Sequence, residues 1–190
     1  MKMKTSTLVA ALIFSGALLA VVSIIPSCHK SGGNAGGRTF YDSLGGTVSV
    51  SDPANFGRTV EQGYLTIRTI VDTALMIIQT DTTINGYFSI MVNEDTLHAA
   101  PTEYDKLSLN FTNFLAVAAG AKDYSYTGPD LFAAHNPDSN VNIPRRVDSA
   151  AFNEFAYDLA RSATQYGLSN QLISQFGILL YRYEGQVVQP

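Results

Sequence analysis

Apolar residues recur at spacings of three and four along four stretches of the chain, which is the period of an α-helix with one buried face. The first stripe runs from Val60 to Ile78 and ends at a cluster of polar residues. The second follows Thr102, which can serve as an N-cap, and stops at Gly120. Each stripe predicts a long helix that presents one face to a core.

Two more helices are predicted in the second half of the chain. Asp148 can cap a helix that ends at Gly167, and Ser169 can cap a last helix that ends near Gly185. Between them and the second stripe, a short helix is predicted within residues 128–136, where glycine and proline mark its ends. The pattern as a whole predicts an all-α fold.

The composition narrows the classes of function. A chain of 190 residues has the size of one domain, and only 15% of its residues are charged, which indicates a packed core. The formal charge of −4 gives no electrostatic attraction for nucleic acid, so we expect no nucleic-acid partner. The single Cys excludes a disulfide framework and a multi-cysteine metal site within one chain.

The first residues have the layout of an export signal. Lys2 and Lys4 precede an apolar run over residues 8–25, and small residues close the run together with Cys28. The position of this Cys favours a bacterial lipoprotein signal, in which Cys28 is acylated and becomes the new N-terminus. A retained membrane anchor and a simple cleaved signal are the alternatives, because the run is about long enough to span a bilayer.

These features predict three segments. Residues 1–27 form the export or lipoprotein signal, residues 28–38 a flexible glycine-rich tether, and residues 39–190 the folded domain. We therefore expect an exported protein of the cell envelope, anchored to the membrane through the lipidated Cys28.

Sequence motifs of common enzymes are absent: the chain has no glycine-rich phosphate loop, no Gly-x-Ser-x-Gly and no His-Glu-x-x-His. The side chains that remain as candidates for catalysis or metal binding are therefore His29, His98 and His135. His135 ends the predicted short helix, where a His usually interacts with the last carbonyl groups. A haem iron, however, needs only one protein imidazole on a rigid element that faces an apolar slot.

Several blocks of sequence, in order, resemble the group I truncated haemoglobins. Residues 40–46 (FYDSLGG) are similar to the opening element of that family, and residues 81–88 (DTTINGYF) to its aromatic corner. Residues 114–120 (FLAVAAG) continue the resemblance. The most specific block is residues 126–128 (YTG) followed by residues 134–135 (AH). The resemblance extends over roughly residues 39–185.

The resemblance implies a truncated two-on-two globin fold with a haem cleft, and haem b as the cofactor. His135 would be the proximal ligand to the haem iron. Leu75, Leu107 and Phe111 would line the distal side of the ring, and Phe88 would pack against its face at the corner. Phe114 and Leu115 would support the ring, and Leu131 and Val147 would contact it near the proximal side. Each of these apolar residues could also be plain core.

The chain departs from the family on the distal side. Members of the family usually place a Tyr where this chain has Leu75, and polar groups often stand where it has Leu107 and Phe111. These substitutions predict weak or rapidly dissociating oxygen, with carbon monoxide or nitric oxide held relatively better. Asn110 stands where a basic residue often reaches a haem propionate, and Lys106 can substitute for it.

Two insertions also depart from the family. The first spans residues 47–63 and includes an alternating piece that predicts a brief extended segment. The second spans residues 137–144, beside the predicted proximal ligand. Arg145 and Arg146, which follow it, either pair with haem propionates or belong to a solvated loop. His98 is a candidate sixth ligand or an exposed loop residue.

Three hypotheses from different classes follow. The first is a haem protein tethered in the cell envelope, which binds a diatomic gas or transfers electrons with an unidentified reductase. The second is an enzyme for nitric oxide detoxification or a peroxidase-like activity, against which the lack of a distal acid–base group argues. The third is a haem-free helical interaction module with the globin fold.

Overall fold

A computed structural model describes residues 37–89 and 103–189. In chain order the described residues form α1 (Phe40–Ser43), β1 (Ser49–Ser51), β2 (Thr59–Glu61), α2 (Gln62–Thr80), a 3-10 helix (Asn85–Phe88), α3 (Glu103–Ala119), α4 (Leu131–Ala134), α5 (Ser149–Tyr166), α6 (Asn170–Tyr181) and α7 (Glu184–Val187). The predicted all-α class is confirmed, since the two short strands are the only sheet among these residues.

Helix α2 is the centre of the fold. Its apolar stripe is wholly buried at Ile67, Ile70, Val71, Ala74, Leu75 and Ile78. The prediction that the stripe begins at Val60 is wrong, because this residue belongs to β2 and pairs with Val50 of β1. A β-branched residue suits a strand better than the first turn of a helix, and the spacing alone does not distinguish the two. The helix ends as predicted, where the backbone N–H of Asp81 donates to the carbonyl of Ile77.

The two strands form an antiparallel hairpin inside the predicted insertion of residues 47–63, so the brief extended segment is confirmed. Its turn is stabilised by Asp52, whose carboxylate accepts hydrogen bonds from the backbone N–H of Ala54 and the side chain of Asn55. Arg68 of α2 lies 3.5 Å from the carboxylate of Asp52. This ion pair therefore holds the hairpin to α2, in addition to the direct connection from β2 into the helix.

Caps mark most of the helix ends. Gly120 follows α3 with φ +105°, a left-handed conformation, and a Cβ at this position would lie 2.9 Å from Thr39. The side chain of Asp148 accepts from the N–H of Ala151 at the start of α5, and Gly167 ends that helix with φ +94°. These three predicted positions are confirmed.

The last predicted helix is divided in two. Ser169 caps α6 as predicted, but the helix ends at Tyr181 rather than near Gly185. Tyr183 then donates its backbone N–H to Leu180, three residues earlier, which tightens the chain into a turn before α7 begins. The prediction of one helix to Gly185 is wrong because the apolar spacing continues through this turn.

Helix α2 packs against both α3 and α5, and α5 packs against α6. One fully buried alanine lies on each of the three central helices: Ala74 on α2, Ala116 on α3 and Ala163 on α5. Polar side chains reinforce the packing, since the hydroxyl of Ser162 donates to the carbonyl of Ile70 at 2.6 Å. The result is a layered helical body with α2 at its centre.

None of the helices within residues 37–89 and 103–189 has the length and apolar character that a membrane-spanning segment needs. The predicted signal, Cys28, His29 and most of the tether lie outside the described residues. His98 and the predicted N-cap Thr102 lie outside them too.

Candidate functional site

An apolar cavity of about 400 Å³ lies between α2, α3, α4 and α5, within the range common for ligand sites. Eight of the nine residues singled out from the sequence line it: Leu75, Phe88, Leu107, Phe111, Phe114, Leu131, His135 and Val147. These residues come from five separate segments of the chain. The fold therefore brings together side chains that the sequence analysis connected only through a family resemblance.

Leu115 is the exception. Its side chain is wholly buried in the core, and it is not among the described residues that line the cavity. On a helix, neighbouring positions point about 100° apart, so Phe114 can line the cavity while Leu115 faces the core between the helices. Leu115 therefore lies behind the cavity wall, and its support of a bound ring stays a prediction.

His135 is held at the C-terminal end of α4. Asp130 is the N-cap of this helix, and its carboxylate accepts from the N–H of Ala133 at 3.2 Å. At its other end, Nδ1 of His135 lies 2.8 Å from the carbonyl oxygen of Leu131. A carbonyl can only accept, so Nδ1 carries the proton in this contact and Nε2 keeps its lone pair. The ring is thus oriented and left with one nitrogen able to bind a metal.

The environment of His135 favours the neutral imidazole. Burial lowers the pKa of His135 below its ordinary value of 6.5, and the hydrogen bond to Leu131 opposes this shift only in part. A metal ligand must be deprotonated at the coordinating nitrogen, so the lowered pKa suits a ligand role near neutral pH.

Aromatic rings form much of the cavity wall. Phe155 contacts Phe88 at 6.2 Å between ring centroids and Phe111 at 5.5 Å. On the other side, Phe114 packs edge to face with Tyr126 at 5.5 Å and with Tyr183 at 4.8 Å. Rings in mutual contact hold one another in place, which gives the cavity stiff walls suited to a flat apolar ligand.

The wall opposite α4 offers few hydrogen-bond donors. Leu75 is wholly buried, and Leu107 and Phe111 line the same cavity without a polar atom in their side chains. Of the three tyrosines in the lining, two donate their hydroxyls to backbone carbonyls: Tyr87 to that of Arg146, and Tyr126 to that of Pro129.

Polar groups of α3 lie at the mouth of the cavity. Lys106 and Asn110 are one helical turn apart, and both line the cavity while remaining exposed to solvent. Lys106 also forms an ion pair with Glu103 at 2.5 Å. Glu103 lines the cavity too, so the apolar interior opens towards an edge formed by an ion pair and an amide.

The second predicted insertion, residues 137–144, forms part of the wall, which the sequence analysis did not anticipate. Asn140, Asn142 and Ile143 line the cavity, and the side-chain amide of Asn140 donates to the carbonyl of Ala134 at 2.7 Å. This hydrogen bond joins the loop to the backbone immediately before His135. The loop thus supports the turn that carries the imidazole.

Arg145 and Arg146 follow this loop and use partners within the protein. The Arg145 guanidinium lies over the ring of Tyr87, 4.6 Å from its centroid, and Arg146 bonds the carboxylate of Asp138 at 2.8 Å. Both side chains are exposed, and neither is among the described residues that line the cavity. These contacts and exposures are those of a solvated loop, and pairing with haem propionates stays a prediction.

Further lining residues were not singled out from the sequence: Ile84, Phe152, Phe155, Leu180, Tyr183 and Val187. Phe152 and Phe155 belong to the predicted stripe of α5, so periodicity marked them as apolar positions. Periodicity could not distinguish residues of the core from residues that line the cavity, because both kinds lie on the same apolar face of the helix.

Solved structures with a similar arrangement of helices include truncated haemoglobins from Tetrahymena pyriformis in the Fe(III) form. One is a Tyr→Phe variant with 15% sequence identity, and two are Gln→Glu variants with 16%. Each superposes with a TM-score of 0.57 and covers 80% of this chain and 99% of its own.

The chain has the truncated globin fold. No protein-family model matches the sequence, and no curated protein matches it either. The similarity to globins found by these comparisons therefore rests on the fold. Within this fold, the cavity that contains His135 lies between α2, α3, α4 and α5.

Proposed function

We propose that the chain binds haem b in this cavity, with His135 as the protein ligand to the iron. The observation that carries the proposal is the 2.8 Å contact from Nδ1 of His135 to the carbonyl of Leu131, inside an apolar cavity. It fixes the tautomer that leaves Nε2 available to a metal. When bound, haem would supply an iron centre able to bind a diatomic gas or exchange an electron.

The residues of the cavity fit this group. Phe88, Phe111 and Phe155 would pack against an apolar macrocycle, while His135 would hold it from the α4 side. Lys106, at the mouth, would face the anionic propionates by exchanging its ion pair with Glu103 for one with the ligand.

The apolar wall supports a preference among gases. Leu75, Leu107 and Phe111 carry no hydrogen-bond donor, so dioxygen would gain no hydrogen bond from them, a deficit of about 1–3 kcal/mol. Carbon monoxide and nitric oxide depend less on such a bond. We infer weak oxygen binding and relatively better retention of the other two gases, which fits gas binding or electron transfer rather than oxygen storage.

We further propose that this domain acts in the cell envelope. The apolar run over residues 8–25 and the adjacent Cys28 support export and lipid anchoring, and the glycine-rich residues that follow would give the domain reach from the membrane. A membrane-anchored haem protein would need an electron donor at the same membrane to return its iron to the ferrous state. We propose that this electron donor, an unidentified reductase, is a partner of the protein.

The visible spectrum of the full-length chain, purified in mild detergent and titrated with haemin, tests the proposal. We expect a saturable one-to-one Soret shift that His135→Ala abolishes and that His98→Ala, the matched control, retains. A five-coordinate ferrous spectrum is expected, and a six-coordinate one that His98→Ala converts would instead make His98 the sixth ligand.

Two results would overturn the proposal. Haem retention with an unchanged spectrum in His135→Ala would remove His135 from the iron. The absence of any specific shift in the unmodified chain would leave a globin-fold interaction module without haem. Turnover of nitric oxide by the loaded protein would assign the enzymatic alternative.

A further inference from the structure

Three carboxylates meet where the end of α2 faces α5, in a cluster formed by Asp81, Glu154 and Asp158. Asp81 caps the C-terminus of α2, while Glu154 and Asp158 lie one turn apart on α5. One carboxylate oxygen of each residue lies within 4.8 Å of the other two. The cluster is separate from His135, and none of its members is among the described residues that line the cavity.

Two oxygens of the cluster are buried without a hydrogen-bond partner among the described residues. Asp158 is wholly buried; its Oδ1 accepts from Arg161 at 3.0 Å, and its Oδ2 has no partner. Asp81 accepts from the N–H of Thr83 at 2.8 Å through Oδ1, while its Oδ2 is likewise buried and unpaired. Since buried polar atoms are nearly always satisfied, the two oxygens require either a proton shared between Asp81 and Asp158 or a ligand that bridges them.

The charge of the cluster points to the kind of ligand. With all three carboxylates ionised, these groups and the guanidinium of Arg161 carry two uncompensated negative charges, and burial together with the neighbouring acids raises the pKa of Asp158. The C-terminus of α2, at Asp81, adds the negative end of a helix dipole. A divalent cation would neutralise the cluster and supply the partner that each orphaned oxygen lacks.

We propose that Asp81, Glu154 and Asp158 bind a hard divalent cation such as Ca²⁺. Carboxylate oxygen is the ligand type that Ca²⁺, Mg²⁺ and Mn²⁺ prefer, and the cluster offers neither nitrogen nor sulfur. Oδ2 of Asp81 and Oδ2 of Asp158 would be the inner ligands. Glu154, which is only partly buried, would close the site from the solvent side and give the ion its entry path.

Such an ion would join two segments of the fold that end on the cavity wall. Asp81 directly precedes the corner that carries Phe88, and Glu154 and Asp158 flank Phe155 on α5. These two phenylalanines stack on each other at 6.2 Å. The proposed cation site therefore stabilises this corner whether or not the cavity is occupied, and it does not rest on haem binding.

Terbium luminescence on the full-length chain without haem tests the site, because Tb³⁺ occupies oxygen-rich Ca²⁺ sites and is sensitised by nearby tyrosine. Tyr157 neighbours Asp158 on α5 and serves as the sensitiser. We expect saturable one-to-one emission that Ca²⁺ displaces. Asp158→Asn and Glu154→Gln should each weaken Ca²⁺ binding by more than about tenfold. The control Asp123→Asn, at an exposed carboxylate outside the cluster, should leave binding unchanged.

Glu154→Gln keeps the test decisive if Asp158→Asn fails to fold, since Glu154 is not fully buried. The proposal is overturned if no saturable emission is seen, or if emission and displacement are the same in both cluster variants. It is also overturned if Ca²⁺ leaves the thermal midpoint unchanged while Asp158→Asn raises it. That result would show a proton shared between Asp81 and Asp158 in place of a metal ion.

Discussion

Nδ1 of His135 lies 2.8 Å from the carbonyl oxygen of Leu131, one helical turn earlier in α4. The same carbonyl also accepts the backbone N–H of His135 at 3.2 Å, so backbone and ring are held at one point, and the second ring nitrogen is turned away from it. A four-residue helix thereby fixes the direction of one imidazole. Its consequences can be measured in the protein without any ligand.

The first prediction concerns pH. Burial lowers the pKa of His135 in the folded chain, whereas the unfolded side chain titrates near 6.5. In the window between these values the unfolded chain binds the additional proton, so stability falls as the pH drops below about 6.5. His135→Gln should remove this contribution. Denaturant unfolding of the haem-free chain from about pH 7.5 to 5.5 measures it, and equal pH slopes for both proteins would contradict the prediction.

A second prediction concerns the donor-poor wall of the cavity. Leu75→Tyr places a hydroxyl donor beside the ligand position, which should slow oxygen dissociation from the haem-loaded chain roughly 5- to 150-fold, the equivalent of about 1–3 kcal/mol. Leu75→Phe is the control, because it adds the ring without the hydroxyl. Stopped-flow dissociation of oxygen distinguishes them, and equal rates for the two variants would refute the hydrogen-bond explanation.

The loop of residues 137–144 provides a third prediction. Asn140→Ala removes the 2.7 Å hydrogen bond to the carbonyl of Ala134 and so loosens the turn that carries His135. We expect haem to leave about fivefold faster, since one such bond contributes about 1 kcal/mol. Asn142→Ala, at another lining position of the same loop, is the control. Transfer of haem to an excess of apomyoglobin reports the rate, which should change only in the first variant.

A fourth prediction compares two glycines. Gly120 has φ +105°, and a Cβ there would meet Thr39 at 2.9 Å, so Gly120→Ala should destabilise the fold by about 1–3 kcal/mol. Gly177 lies inside α6 with open space around it, so Gly177→Ala should stabilise the fold by about 0.5–1 kcal/mol. Thermal or denaturant unfolding measures both, and a shift of the same sign would contradict the assigned backbone conformations.

The sequence predicts the helices well where local chemistry marks their ends. Asp148 and Gly167 bound α5 as expected, because a side-chain cap and a left-handed glycine act within one turn of the residues that they terminate. Val60 and the end of α6 were predicted wrongly, since apolar spacing continues through a strand in one case and a tight turn in the other. The spacing of apolar residues shows which positions are buried, and residues in strands and turns can be buried as well as residues in helices.

The candidate site was predictable only in part, for a related reason. The lining residues on α3 followed from their place in a family pattern, while the contribution of Asn140 comes from a loop that folds back over α4. Nor did any local signal connect Asp81 with Asp158, which are far apart along the chain and meet only because α2 packs on α5. Long-range contacts of polar side chains leave no periodic mark in a sequence.

Ala74, Ala116 and Ala163 occupy the centre of the molecule, where α2 packs against α3 and α5. The separation of packed helices follows the size of the side chains between them, so small buried residues such as these allow the helices to approach closely. A larger residue at any of these positions would act as a spacer and widen the space beside it. Substitutions at these three alanines could thus change the size of ligand that the cavity accepts without changing any residue that lines it.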